Sequence, residues 1–128
     1  MERFRKAVEA RDGDALVASL AEDIVFNSPI VFRTYRGRAE VGALLRVVLG
    51  VLQDFRYVDE LRSERQTALV FTARVGDREL DGIDLAEVDG NGLVTRLVVF
   101  VRPMSAAQAF AAAMQAALAA APLGAAPP

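Results

Sequence analysis

TALVFTARV (67–75), GD (76–77) and RELDGIDLAEV (78–88) form the stretch on which the fold turns. Two runs rich in apolar and β-branched residues flank a pair of turn formers, the signature of an antiparallel hairpin. Closing Gly76-Asp77 as a two-residue turn sets Arg74 opposite Glu79, Ala73 opposite Leu80, Phe71 opposite Gly82 and Leu69 opposite Asp84. Opposite charges meet in that register. The period of two puts all the apolar members and Asp84 on one face.

The next strand is expected from Leu93 to Arg102, after the loop Asp89-Gly90-Asn91-Gly92. A closed loop there places Asp84 opposite Leu97, Gly82 opposite Val99 and Leu80 opposite Val101. One face is then apolar with a single carboxylate. The other carries Val70, Ile83, Leu85, Val98 and Phe100, edged by Thr72, Arg74, Asp81, Arg96 and Arg102, and is too apolar to be left in water. Upstream, Phe55 to Leu61 reads as a further strand. Before it, Val41, Leu44, Leu45, Val48, Val51 and Leu52 follow the i, i+3, i+4, i+7 rule, giving a helix from about Ala39 to Leu52 that must lie on the sheet. Only one sheet face can hold that helix, so a two-fold homodimer through the Phe100 face is expected. The alternative is a sheet buried on both faces in one thick core.

At the amino-terminal end Phe4, Ala7 and Val8 mark a helix, Asp12-Gly13-Asp14 interrupts it, and Leu16, Val17 and Leu20 resume the pattern with Asp14 as N-cap. Asp23 to Asn27 and Val31 to Arg36, separated by Ser28-Pro29, predict a small hairpin. At the other end Ser105 to Ala121 carries Phe110, Met114 and Leu118 four apart, a helix docking by one narrow stripe. It would cap a pocket mouth, extend a dimer interface or cover a sheet edge. Residues 1–121 form a single domain in this reading, and Pro122 to Pro128 a mobile tail.

Composition narrows function by exclusion. A chain of 128 residues suits one domain, and 15 basic against 17 acidic residues without a basic stripe argue against nucleic acid. Lys6, on the first helix, is the only lysine, which disfavours Schiff-base chemistry. With no cysteine and no histidine, thiol nucleophiles, Ser-His pairs and zinc sites of the usual kind drop out, so no metal and no cofactor is expected. Met1-Glu2-Arg3-Phe4-Arg5-Lys6 opens without the apolar stretch of a signal peptide, and alanine is too weakly apolar for a membrane span. No membrane association is expected, and the cytoplasm is the expected location.

Chemistry concentrates on Asp84. Among Leu69, Phe71, Gly82, Leu97 and Val99 its carboxylate is costly to ionise, so its pKa should rise unless Asn27, Ser28 or a tyrosine donates to it. Raised, it serves as acid, base or anchor; the alternative is a structural aspartate satisfied by backbone or water. Tyr35 and Tyr57 can present hydroxyls to a cavity while their rings pack, and packing alone is the expected role of each. Arg36 and Arg38 are expected to face solvent. Asn27 is either an orienting donor or a turn residue that ends its strand, and a bulge near Pro29 would decide whether Asn27 or Ser28 faces inward.

The order helix, helix, short hairpin, helix, long antiparallel strands, helix resembles the nuclear transport factor 2-like superfamily, including its SnoaL-like and ketosteroid isomerase-like members. The resemblance is carried by Ala10-Arg11-Asp12-Gly13-Asp14, Leu20-Ala21-Glu22-Asp23-Ile24-Val25-Phe26-Asn27-Ser28-Pro29, Tyr35-Arg36-Gly37, and Ile83-Asp84 followed by Asp89-Gly90-Asn91-Gly92. It implies an α+β fold: a cone-shaped, curved antiparallel sheet packed by N-terminal helices, with an apolar pocket and here an additional C-terminal helix. It also implies pairing through the outer sheet face. Candidate ligand-binding residues are Phe4, Val25, Tyr35, Tyr57, Leu69, Phe71, Gly82, Leu97, Val99 and Val101, with Asp84, Asn27 and Ser28 as candidate catalytic residues.

Two chemistries of similar proteins are incomplete here. In ketosteroid isomerases a carboxylate base follows the first strand, a tyrosine sits on helix one and a protonated aspartate on the sheet. Those positions fall on Ser28, Phe4 and Asp84, and a serine cannot take a proton from carbon unaided, so no isomerase activity is expected by that route. Limonene epoxide hydrolase-like members hold a water with an Asp-Arg-Asp network, a tyrosine and an asparagine. Asn27 and one aspartate, Asp84, match, whereas Val25, Gly82 and Val99 replace the tyrosine, the arginine and the second aspartate. The sequence thus supports a pocket for a small apolar molecule of terpenoid, steroid or polyketide type. Asp84 would catalyse isomerisation, hydrolysis or cyclisation, or else the protein is a non-catalytic ligand-binding or dimeric scaffold protein.

Overall fold

The computed structural model describes residues 1–120; the expected tail 122–128 and Ala121 lie outside the described residues. Two short helices, α1 (Glu2–Glu9) and α2 (Gly13–Ala18), bury Phe4, Ala7, Val8 and Leu16. The turn between them closes with Arg11 N–H donating to Val8 O (3.0 Å) and Asp12 N–H to Ala7 O (2.9 Å). The N-cap of α2 is Asp12 and not the expected Asp14: its carboxylate accepts from the Ala15 N–H at 3.0 Å, a reach that Asp14, already inside the first turn, does not have. Asp12→Ala should cost about 1 kcal/mol in urea unfolding, and Asp14→Ala much less.

The remaining elements are β1 (Leu20–Asn27), β2 (Thr34–Arg36), α3 (Arg38–Val51), β3 (Gln53–Arg62), β4 (Thr67–Val75), β5 (Arg78–Val88), β6 (Val94–Arg102) and α4 (Met104–Ala120). β1 starts earlier than its apolar run suggested and β2 later, because 31–33 make no ladder. The strands form one sheet in the order β2-β1-β6-β5-β4-β3. Neighbours are antiparallel except β1 and β6, which pair in parallel and bring the amino-terminal third against the end of the sheet region.

The β4–β5 register is the one dictated by the Gly76-Asp77 turn, with Leu69 opposite Asp84 and Phe71 opposite Gly82. The β5–β6 register differs from expectation: Asp84 lies opposite Val99 and Gly82 opposite Val101, while Leu97 faces Ala86. The ladder slips between Glu87 and Val88, and the loop tightens around the Asp89 carboxylate, which accepts from Asn91 N–H (2.8 Å) and Leu93 N–H (3.0 Å). The displacement amounts to two residues, so every side chain keeps its face.

Inside, α1, α2, α3 and β1 pack on Leu69, Ala86, Val94 and Leu97, while α4 packs on Phe71, Ala73, Val75 and Leu80. Val48, Phe55, Tyr57, Val99 and Met114 touch both clusters, and the cavity described below opens among them. On the outer face Ile83 and Phe100 stand opposite each other and are 37% and 53% exposed. Mixed-charge pairs, Asp81 with Arg102 and Glu87 with Arg96, flank them. No described helix is long and apolar enough to cross a membrane.

Candidate functional site

A cavity of about 380 Å³ lies between the inner sheet face and the helices. Such a volume suits a small organic molecule. Three aromatic rings from neighbouring strands make one wall: Phe55 stacks on Phe71 with centroids 4.7 Å apart, and Tyr57 stands edge-on to Phe55 at 4.9 Å. Alternation along β3 and β4 turns these side chains to the same face. Helix α3 adds Leu44, Leu45, Val48, Leu49 and Leu52, and α4 adds Phe110, Met114 and Leu118, the stripe read in the sequence. Of the roles open for the last helix, closing the cavity is the one its contacts show.

Asp84 points into this apolar space and is 7% exposed. The Tyr57 hydroxyl donates to its Oδ2 at 2.7 Å. Burial lifts the Asp84 carboxyl from 3.8 to about 7, and the Tyr57 hydrogen bond, which favours the charged form, pulls the other way without cancelling it. Burial and the neighbouring Asp84 push the Tyr57 phenol well above its usual range, so it stays a donor. The pair therefore offers a carboxyl balanced between its two forms at neutral pH, beside a fixed hydroxyl. It can hold a carbonyl or hydroxyl oxygen, or move one proton. Tyr57→Phe should raise the Asp84 pKa above about 7, because it deletes the contact that favours the carboxylate. Carboxyl-carbon NMR titration checks the direction.

Tyr57 is held from outside the cavity. The Arg5 guanidinium sits 5.6 Å from its ring centroid and is itself tied to Glu60 at 3.0 Å and Glu9 at 3.3 Å. The 28–31 loop also lines the cavity, and there Ser28 Oγ accepts from the Ile30 and Val31 N–H groups, both at 3.2 Å. Occupied in this way, Ser28 is a loop-shaping residue with no base beside it.

Of the residues singled out from sequence, Phe4, Ser28, Tyr35, Tyr57, Phe71, Asp84, Leu97, Val99 and Val101 line the cavity. Four do not. Val25 and Asn27 lie on the opposite face of β1 from Phe26, and Asn27 Nδ2 donates to Thr34 Oγ1 at 3.0 Å. Leu69 is fully buried in the core, and Gly82 is covered by the Phe71 ring. The sequence reading missed Phe26, Phe55, Gln115 and Arg11; strand alternation could have found the first two, and nothing local marks the others. Among the described residues no cluster of acidic side chains could hold a metal ion.

The model of the SnoaL-like domain matches residues 1–103, the whole sheet and every helix before α4. The chain belongs to the SnoaL-like family. No curated protein shows a matching similarity. Among solved structures, this SnoaL-like chain is similar to a steroid delta-isomerase from Pseudomonas aeruginosa. That match has 39% identity and a TM-score of 0.89, over 93% of this chain and 88% of that one. It is also similar to an uncharacterized protein with a cystatin-like fold from Silicibacter pomeroyi DSS-3, at 32% identity and a TM-score of 0.88 over 94% and 85%. A putative ketosteroid isomerase from Kribbella flavida, at 23% identity and a TM-score of 0.64 over 80% and 74%, shares the fold. Nuclear transport factor 2-like structures appear among the matches as well, in agreement with the α+β architecture.

Proposed function

We propose that this SnoaL-like protein binds a small apolar molecule bearing a carbonyl or hydroxyl oxygen, which the Tyr57–Asp84 pair holds in the cavity. The observation that carries the reading is the 2.7 Å hydrogen bond between these side chains in a cavity walled mainly by apolar residues. A polar pair in such surroundings fixes the orientation of a ligand that the apolar wall binds unselectively. Denaturing the purified protein and analysing the released small molecules by mass spectrometry tests it. One defined oxygenated terpenoid, steroid or polyketide supports the reading; an empty cavity, together with failure of such compounds to bind, sinks it.

A catalytic reading is favoured by the Asp84 pKa of about 7 and by the isomerase name of the Pseudomonas aeruginosa protein. Asp84 would be both base and acid, taking a proton from an allylic carbon and returning it further along, while the single Tyr57 hydroxyl proton, no longer needed by the newly protonated Asp84, turns to the developing oxygen anion. No second carboxylate lines the cavity among the described residues, which weighs toward binding alone. Turnover of an unconjugated ketosteroid to its conjugated enone, lost in Asp84→Asn, would decide for catalysis.

The same proposal seats a second copy on the outer face, where the exposed Phe100–Ile83 pair lies between rows that each carry both charges and so suits a self-complementary contact. Equilibrium sedimentation should give twice the chain mass for the wild type and a monomer for Phe100→Glu; a monomeric wild type refutes the pairing.

A further inference from the structure

Arg11 stands where a glycine would be cheaper. Helix α1 ends at Glu9 with Ala10 as its C-cap, and the two hydrogen bonds that close the turn place Arg11 at the position after the cap with φ 54°. That left-handed conformation favours glycine, and a side chain there costs about 1 kcal/mol. Local backbone needs alone do not call for an arginine.

The side chain has a second peculiarity. Arg11 lines the cavity, and among the described lining residues it is the only cation. Its Nη2 donates to the carbonyl of Leu49, in the last turn of α3 where helical carbonyls lack intrahelical partners, and this bond holds the guanidinium beside the cavity. No ion pair joins Arg11 to a described carboxylate. A guanidinium with one donor engaged keeps others for the oxygens of an acid group. Gln115, from α4, lines the same cavity and adds an amide.

We infer that the ligand is an apolar organic acid, whose anionic oxygens are received by Arg11 at the solvent-facing side of the cavity while its body packs against the aromatic wall. This rests on the binding reading above and narrows it to one ligand class. Arg11 is then the residue that sorts acids from neutral molecules of similar shape, and the conformational cost at its backbone is the trace of that selection.

Two fluorescent probes with one ring skeleton test this: anilinonaphthalene sulfonate, which is anionic, and N-phenylnaphthylamine, which is neutral. Both are titrated into the wild type, Arg11→Gly and Arg11→Lys. Glycine suits the left-handed backbone, so Arg11→Gly should keep a urea midpoint close to that of the wild type and report on binding alone. The sulfonate should lose about tenfold in affinity in Arg11→Gly, as a charge-assisted contact is worth, with the neutral probe unchanged. Arg11→Lys should recover part of the loss. If the sulfonate weakens no more than the neutral probe in Arg11→Gly, or the wild type takes only the neutral probe, the inference is wrong and the binding reading stands. If neither probe binds the wild type, the inference falls, whereas the binding reading, which needs a carbonyl or hydroxyl oxygen that neither probe carries, is decided by the released-ligand analysis.

Discussion

Gly82→Ala should destabilise the protein by about 3 kcal/mol, a large share of a small domain's total stability. A methyl built on Gly82 would lie 2.2 Å from Cζ and 2.6 Å from Cε2 of Phe71, and 2.7 Å from the Phe100 carbonyl oxygen. Neither neighbour can yield cheaply. Phe71 is 1% exposed and stacked on Phe55, and the Phe100 oxygen belongs to the backbone of β6. The ring covers the bare glycine across the β4–β5 ladder, a pairing that fills the space of a missing side chain. Urea unfolding measures the cost. In a Phe71→Leu background the same substitution should cost at least about 1 kcal/mol less, since the clashing ring atoms are gone. An unchanged unfolding midpoint in Gly82→Ala would show that Phe71 does not lie over this position.

Asp84 should make stability fall as the pH rises. Its folded pKa of about 7 lies above the ordinary 3.8, so between those values the folded state holds a proton that the unfolded chain releases. The stabilisation is therefore complete below about pH 4, declines toward pH 7 and is gone above it, by about 4 kcal/mol at most. Asp84→Asn removes this dependence, because the amide is neutral throughout and its oxygen still accepts from Tyr57. Comparison of wild type and variant by urea unfolding at about pH 5 and about pH 8 cancels whatever the new amide hydrogens cost. The difference should move in favour of the variant by about 2.5 kcal/mol at the higher pH. Parallel curves would mean that Asp84 titrates as an ordinary exposed carboxyl.

Legibility in the sequence followed the range of the interactions. The 67–88 hairpin was readable down to its register because a two-residue turn couples residues that are close in the chain. Helices α3 and α4 were readable from periodicity, and Asp84 stood out because alternation isolates one carboxylate on an apolar face. The β5–β6 register was missed by two residues, since a loop that folds around the Asp89 carboxylate leaves no count-based mark. The N-cap was misplaced because Asp12 and Asp14 are equivalent to a pattern and differ only in backbone position.

The site was less readable than the fold. Asp84 on β5 meets Tyr57 on β3 across β4, and the β3–β4 register breaks twice, so only the tertiary structure selects Tyr57 over Tyr35, Asn27 or Ser28 as its partner. Asn27 was left open between donor and turn residue; in the fold its amide serves the hairpin through Thr34. Arg11 reads as an ordinary turn arginine until the α1–α2 corner is brought against α3 and the cavity.

By itself the sequence determined the α+β class, the element order, the facing of β4, β5 and β6 and the single inward carboxylate, because these follow from local propensity and a strict period of two or 3.6. The tertiary structure alone decided the parallel β1–β6 pairing, the closure of the cavity by α4, the Tyr57–Asp84 hydrogen bond and the placing of Arg11. Each joins segments far apart in the chain, where no turn or period ties one residue to the other and only the packing of the whole core selects the contact.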